Sequence, residues 1–493
     1  MTENVLEYLE RAAVSHPDKA AFFSEETALT FAQLLHNAKR IGSYIASTCA
    51  LRNQPIPVIC AQSPISIALF LGVVYSGNFY VPIGDDMPAG RVHAMLEQLH
   101  PGIILTQDDI PVPTENVPAI TYAQALCADA DEPLLDSIRA DFCTTDPLYA
   151  IFTSGSTGTP KCVLKSHASL IYFIERFAEL FSLDDSIVFG SQTPFYFDAS
   201  TKDVYSTLLC AASTYIFDKR AFSFPMELIG QMNRHHVNTV VWVPSVMTLV
   251  SNFGVLDEIV PASLRSIFFV GESMPVKILR NWMQHLPAVR FVNLYGTTEA
   301  AGNCLYYEVP AIPAETDPLP TGKVFPGSRI LLLDGDRSAR EGEVCIVGPT
   351  IALGYYGMDD PQKFCRNPLN SMFPERMCRT GDLARLGEDG NYYFISRSDF
   401  QIKHMGNRIE LGDIEAAAMS IGGMGYCCCV YHAPSDRIVL YFVSQSLEKR
   451  DVTRALRDML PRYMLPNKTI PLDAMPLNPN GKIDRKKLLD QLS

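Results

Sequence analysis

An α/β fold in two parts is predicted for this 493-residue chain. Three observations predict it. Helix-like stretches alternate with short apolar runs over the first 300 residues, prolines and glycines punctuate 308–327 ahead of two strand-like runs, and a fresh helix and strand pattern begins near residue 396. The expected architecture is a large N-terminal domain, 1–396, of βαβ-type subdomains plus a β-rich subdomain, followed by a small α+β C-terminal domain, 397–493.

The elements follow in order. "NVLEYLERAA", "TFAQLLHNAKRIGSYIAS" and "PMELIGQMNRHH" read as helices, and "IPVIC", "GIILT", "NTVVWV", "RSIFFVG" and "RFVNLYG" as buried strands of βα units. After "EVPAIPAETDPLPTGKVFPG", the runs "RILLLD" and "GEVCIVG" read as antiparallel strands. The final part restarts with a helix, the strand "YCCCVYH", the strand "RIVLYFV" and the helix "DVTRALRDMLPRYM".

Composition excludes several classes. With 47% hydrophobic and 19% charged residues the chain is globular and long enough for more than one core. No apolar run approaches a membrane span, and the acidic, amphipathic start is unlike a secretory leader, so a cytoplasmic protein without membrane contact is expected. Thirteen cysteines form no CxxC pair and ten histidines no metal-ligand spacing, so reduced thiols and no zinc site are expected. A net charge of -13 argues against nucleic acid as a partner. Residues 396–493 differ, with 14 Lys and Arg against 11 Asp and Glu. A docking surface for an acidic protein partner, built from Arg485, Lys486, Lys487 and residues of "EKRDVTRALRD", is expected there; a solvated basic helix is the competing reading.

The stretch "FTSGSTGTPKCVLKSH" concentrates hydroxyls and glycines ahead of Lys161, a composition that brings backbone N–H groups, hydroxyls and an ammonium to one point. That suits a polyphosphate. It is not the GxxxxGK[ST] loop, because Pro160 and Cys162 flank the lysine, and a flexible Ser/Gly linker is opposed by the apolar runs on both sides.

In order beyond it come "PFYFDAS", "FVGES", "NLYGTTEAAG", "RTGDLARL", "SRSDFQIKHMGNRIELGDIE" and "NPNGKIDR". Together these motifs resemble the adenylate-forming enzymes, specifically freestanding amino-acid adenylation domains of nonribosomal peptide synthesis and the D-alanine:carrier-protein ligases. The resemblance runs from about Leu29 to Lys487. It implies an ATP-dependent ligase with ATP and Mg2+ as cofactors and a mobile small lid domain. Forming an acyl adenylate requires a carboxylate to attack a crowded, negative phosphorus, so charge neutralisation and alignment dominate.

The family's roles fall on residues of this chain as follows. Thr153, Ser154, Gly155, Ser156, Thr157, Gly158 and Lys161 match the phosphate loop. Gly271 and Glu272 of "FVGES", and Tyr295 and Gly296 of "YGTTE", match nucleotide-binding positions, with Tyr295 offering a face to adenine. Thr298 matches the residue that bonds the α-phosphate and Glu299 the magnesium ligand. Asp382 matches the ribose ligand, where one carboxylate accepts from both hydroxyls of a cis-diol, and Arg397 lies near ribose and phosphate. Lys482 matches the lysine that reaches the substrate carboxylate and phosphate from the small domain. Three positions depart from the family's pattern: Thr297 for Pro, Cys162 for Gly and Ser396 for the hinge Gly, which leaves a catalytically weakened adenylate-binding protein as one alternative.

Asp198 occupies the place that holds the substrate's α-ammonium in amino-acid-activating members. The remaining pocket positions match Ala199, Lys202, Trp242, Phe268, Val270, Leu294, Gly302 and Asn303. A lysine at the Lys202 position resembles glutamate-activating domains, so an acidic amino acid, glutamate or aspartate, is expected. The alternative is D-alanine or another small amino acid, with Lys202 neutralised by Asp203 or another acid. No carrier-domain serine motif occurs in the sequence, and the acceptor that the resemblance implies is the phosphopantetheine thiol of a separate carrier protein, with coenzyme A as the second possibility.

Overall fold

The computed structural model describes every residue except 1, 50–51, 109, 114–115, 154–159, 398–400, 477–482 and 493. The chain forms two compact units, one of Met1–Asp85, Leu99–Ile151 and Cys162–Ser398, the other of Asp86–Gln98, Phe152–Lys161 and Asp399–Ser493.

Two large sheets organise the first unit. Among the described residues one has nine strands, in the spatial order Lys323–Val324, Leu305–Glu308, Arg290–Tyr295, Ser266–Val270, Thr239–Trp242, Val188–Ser191, Ser213–Ile216, Ala20–Phe23 and Ala28–Thr30. Its centre is parallel and its edges antiparallel. The other has seven, ordered Gly354–Tyr355, Lys161–Ser166, Pro147–Thr153, Phe79–Gly84, Pro55–Cys60, Ile104–Thr106 and Ala119–Thr121. Every residue of Pro55–Cys60 and of Phe79–Gly84 is buried, which is why these strands read as continuous apolar runs.

The helices begin where local chemistry places them. Phe31–Thr48 opens on a capping box in which Thr30 Oγ1 accepts from the Gln33 N–H at 3.2 Å and Gln33 Oε1 from the Thr30 N–H at 3.0 Å. Pro64–Tyr75 carries proline in its first turn, where no N–H is missed, and is buried on nearly every side.

The punctuated segment leads, as expected, into an antiparallel sheet: Arg337–Ser338, Arg329–Asp334, Glu341–Val347, Arg376–Leu386 and Phe364–Arg366, with Tyr392–Arg397 also beside Arg376–Leu386.

In the second unit a hairpin of Gln401–His404 and Asn407–Glu410 precedes a three-stranded sheet, Met424–His432, Arg437–Ser444 and Lys468–Pro471. Cys427 and Cys429 join one core and Cys428 the other, the alternation a strand requires, and no cysteine is bonded to another. Arg485, one of the residues expected to form a docking surface, is partly engaged within the unit. Its guanidinium pairs with Glu415 at 2.8 Å and donates to the Cys429 carbonyl, anchoring the terminal helix Arg485–Asp490 to the sheet, while Lys486 and Lys487 are exposed. No described helix is long and apolar enough to cross a membrane.

Candidate active site

Asp198 sits just before the helix Ser200–Cys210, whose N-terminal dipole favours a negative charge. The carboxylate is 9% exposed, and Oδ1 accepts from the Tyr149 hydroxyl at 2.8 Å. The Asp198 carbonyl takes the Thr201 N–H and Oγ1, so the backbone here is held by the first helical turn. Burial, and then the Asp198 charge, push the Tyr149 phenol well above its ordinary range, so it remains a donor.

One turn further on, Lys202 is 2% exposed with its ammonium 5.8 Å from the centroid of the Phe173 ring. Burial pulls its pKa down, and Asp198 and Asp203 partly restore it. Asp203 is buried too, and desolvation pushes it up to about 8 despite the neighbouring Ser191 hydroxyl and Lys202. The Ser191 hydroxyl lies close enough to ease that shift, but neither group meets hydrogen-bond geometry.

Phe268, Val270 and Leu294 line up on adjacent parallel strands and pack in one core with Phe173, and Ala199 lies against that core. Gly302 has φ 71, and a Cβ built on it would lie 2.2 Å from Phe173 Cζ. A Cβ on Gly296 would stand 2.3 Å from the Gly302 carbonyl oxygen, so the loop folds tightly back on itself. Asn303 is 2% exposed, and among the described residues its Oδ1 has no hydrogen-bond partner.

Trp242 does not join this group. It lies on the opposite face of its sheet, edge-on to Trp282, with Nε1 donating to the Gly190 carbonyl at 3.2 Å. Val241, paired with Phe268, is the residue of that strand that faces the pocket core. Both faces of the strand are buried, so hydrophobicity carries no sign of which residue points where, and a one-residue slip reverses the face.

The nucleotide-binding candidates gather around Asp382. Tyr295 donates from its hydroxyl to Asp382 Oδ2 at 2.5 Å, and Arg397, opposite on the neighbouring strand, pairs with Oδ1. A carboxylate offers more acceptor sites than these two partners use, which leaves capacity for a diol. Tyr295 is 7% exposed and fastened at its hydroxyl.

Glu299 is fully buried, accepts from the Tyr355 hydroxyl at 2.9 Å, and lies 3.7 Å from the Lys363 ammonium. Thr298 beside it is half-buried, and among the described residues Thr297 Oγ1 has no hydrogen-bond partner. Among the described residues no three His, Cys, Asp or Glu side chains gather as a metal cage. A lone carboxylate fits magnesium, which takes few protein ligands and completes its shell with phosphate and water.

Glu272 accepts from the Ser245 N–H at 3.0 Å and so caps the helix Pro244–Asn252, while Gly271 has φ 99. Thr153 is buried, and its Oγ1 donates to the Lys161 carbonyl at 3.3 Å. Ser154, Gly155, Ser156, Thr157, Gly158 and Lys482 lie outside the described residues. Cys162 is fully buried, so the thiol at this departure from the family's glycine fills core volume; Ser396 is an exposed strand residue opposite Leu383.

Sequence reasoning missed Tyr149, Tyr355, Lys363 and Lys165. The first three belong to no motif. Lys165 had a signal, since it stands two residues from Val163 in an apolar strand and therefore on the same face. A cleft of about 440 Å³ lined by Glu10, Tyr75, Arg139 and His167 shares no residue with the candidate site.

A family model described as AMP-binding enzyme matches residues 9–356. The D-alanine–D-alanyl carrier protein ligase of Lacticaseibacillus casei (strain BL23) is 29% identical over 512 residues, covering 100% of both chains. That of Bacillus cytotoxicus is 28% identical over 512 residues, covering 99% of each. Among solved structures, an NRPS protein containing adenylation and PCP domains, bound to a vinylsulfonamide inhibitor, superposes with a TM-score of 0.84 at 24% identity, covering 99% of this chain and 84% of that one. The o-succinylbenzoate CoA synthetase of Bacillus subtilis does so with a TM-score of 0.84 at 18% identity, covering 98% of each.

Proposed function

Because the chain belongs to the AMP-binding enzyme family, we propose that it activates an amino acid with ATP as the aminoacyl adenylate, releasing pyrophosphate. The acyl group then passes to the phosphopantetheine thiol of a separate carrier protein, releasing AMP. The observation that carries this reading is Asp198, a buried carboxylate at a helix N-terminus beside the apolar cluster of Phe173, Phe268, Val270 and Leu294, able to pair with an α-ammonium that would otherwise lose its solvation.

The favoured substrate is D-alanine or another small amino acid. This replaces the expectation of glutamate or aspartate, which rested on Lys202. Lys202 lies in the field of Asp198, one helical turn before it, so its charge is not evidence for a substrate carboxylate, and Phe173 packed on Gly302 favours a short side chain. The relatives at 28–29% identity are ligases named for D-alanine, which supports the same choice.

The residue roles follow from the chemistry. Asp198 holds the ammonium, Phe268, Val270 and Leu294 exclude water, and Asp382 with Arg397 orients the ribose. Thr298 and the loop 153–161 hold the phosphates, and Lys482, from a lid domain of 397–493, neutralises charge as the carboxylate attacks. Glu299 would hold Mg2+, which lowers the charge on the phosphates when bound. Glu299 must then loosen its contact with Lys363.

Amino-acid-dependent exchange of labelled pyrophosphate into ATP tests the proposal with D-alanine, L-alanine, glycine, glutamate and aspartate. Exchange led by a small amino acid is expected. Exchange led by glutamate or aspartate overturns the substrate choice, and no exchange with any amino acid overturns the activity.

A further inference from the structure

We propose that Lys165 binds the carboxylate of the amino-acid substrate, a role that rests on the amino-acid adenylation reading above. The strand Lys161–Ser166 pairs antiparallel with Gly354–Tyr355 so that Val163 stands opposite Tyr355. Residues opposite each other share a face, and residues two apart share it too, so Lys165, Val163 and Tyr355 are on one side of the sheet. The Tyr355 hydroxyl on that side reaches Glu299. The strand thus directs Lys165 toward the candidate metal ligand.

The side chain is fully buried, and among the described residues its Nζ has no hydrogen-bond partner. An ammonium without partners in a protein interior is costly, and Lys165 follows the apolar run Cys162, Val163 and Leu164 in a strand where packing alone does not call for a cation. Desolvation pulls its pKa down, and the charges that oppose this are Asp198 first and then Glu299. Neither carboxylate forms an ion pair with it, so Lys165 stands in the field of both and bonds to neither.

Those two acids mark the ends of the reacting assembly. Asp198 receives the substrate's ammonium, and Glu299 belongs beside the metal and the phosphates. In an α-amino acid the carboxylate is one carbon from the ammonium, and it must point toward the α-phosphorus to attack. A cation in the field of both acids meets that carboxylate and supplies the donor its negative oxygens need once water is expelled. Lys165 is on a strand of the large unit, so it can hold the carboxylate without waiting for Lys482 of the small domain.

The test is Lys165→Met, with Lys165→Gln beside it, measured by pyrophosphate exchange with alanine and by thermal unfolding. The expected result is a KM for alanine raised on the order of 10-fold to 100-fold, the worth of a hydrogen bond to a charged group. The KM for ATP should stay within about twofold, and the midpoint of unfolding should hold or rise because a costly buried charge is gone. Inhibition by alaninol, which keeps the ammonium and methyl but lacks the carboxylate, should be equal in wild type and variant. An unchanged KM for alanine, or equal losses for alanine and alaninol, overturns the assignment. Failure of both variants to fold makes Lys165 structural and also overturns it. Absence of exchange by the wild type removes the adenylation reading itself, and the role of Lys165 with it.

Discussion

Gly302 shows how closely one position can govern the pocket. Its φ of 71 suits glycine, and the Phe173 ring occupies the space where a Cβ would go. Gly302→Ala therefore combines backbone strain with overpacking, and a loss of about 2 to 4 kcal/mol of stability is expected from the two together. Denaturant unfolding checks this, and Phe173→Leu in the same chain should recover part of the loss by opening the space. If Gly302→Ala unfolds at the wild-type midpoint, the tight packing of Phe173 on the loop is wrong. At the same scale Lys202 is a lesson in reading charge. Its four-residue spacing from Asp198 was legible in the sequence, but its burial beside a second acid, Asp203, depends on tertiary packing.

The strand Lys161–Ser166 and the helix His167–Phe181 that follows it form the element that serves the pocket, since one carries Lys165 and the other Phe173. His167 starts the helix, is 3% exposed, accepts from the Val5 N–H at 3.4 Å and packs edge-on against Phe142. Burial, and then the Arg139 charge, lower its pKa to about 3 from an ordinary 6.5. Between those values the unfolded chain binds a proton that the folded chain refuses. Stability contributed by neutral His167 is thus present above about pH 6.5 and is lost as pH falls toward about 3. His167→Gln keeps a side-chain acceptor without the titration, so its stability should fall less steeply than wild type between pH 6.5 and 4 in urea unfolding. Parallel slopes would remove His167 from the acid response.

Across the whole molecule, much of the fold was legible, for physical reasons. Buried parallel strands must be continuous apolar runs, as "IPVIC" and "RFVNLY" are, and turn-rich 308–327 had to end the βα pattern. The placement of the candidate site residues was legible where a motif carries a charge, as in the buried Asp198 and Glu299 and the Asp382 and Arg397 pair. It was not legible where long-range packing decides. Trp242 joins the core on the opposite face of its sheet because alternation is silent in a strand buried on both sides, and neither the contact of Glu272 with the Ser245 N–H nor that of Arg485 with Glu415 has a local sequence signal.

A single-turnover experiment tests the reaction directly. The chain is held in excess over ATP with Mg2+ and D-alanine, quenched, and analysed by mass spectrometry for the enzyme-bound product. The expected product is alanyl adenylate with pyrophosphate, formed only when the amino acid is present. A glutamyl or aspartyl adenylate formed in preference when those acids compete, ADP and phosphate in place of pyrophosphate, or no aminoacyl adenylate with any amino acid would contradict it.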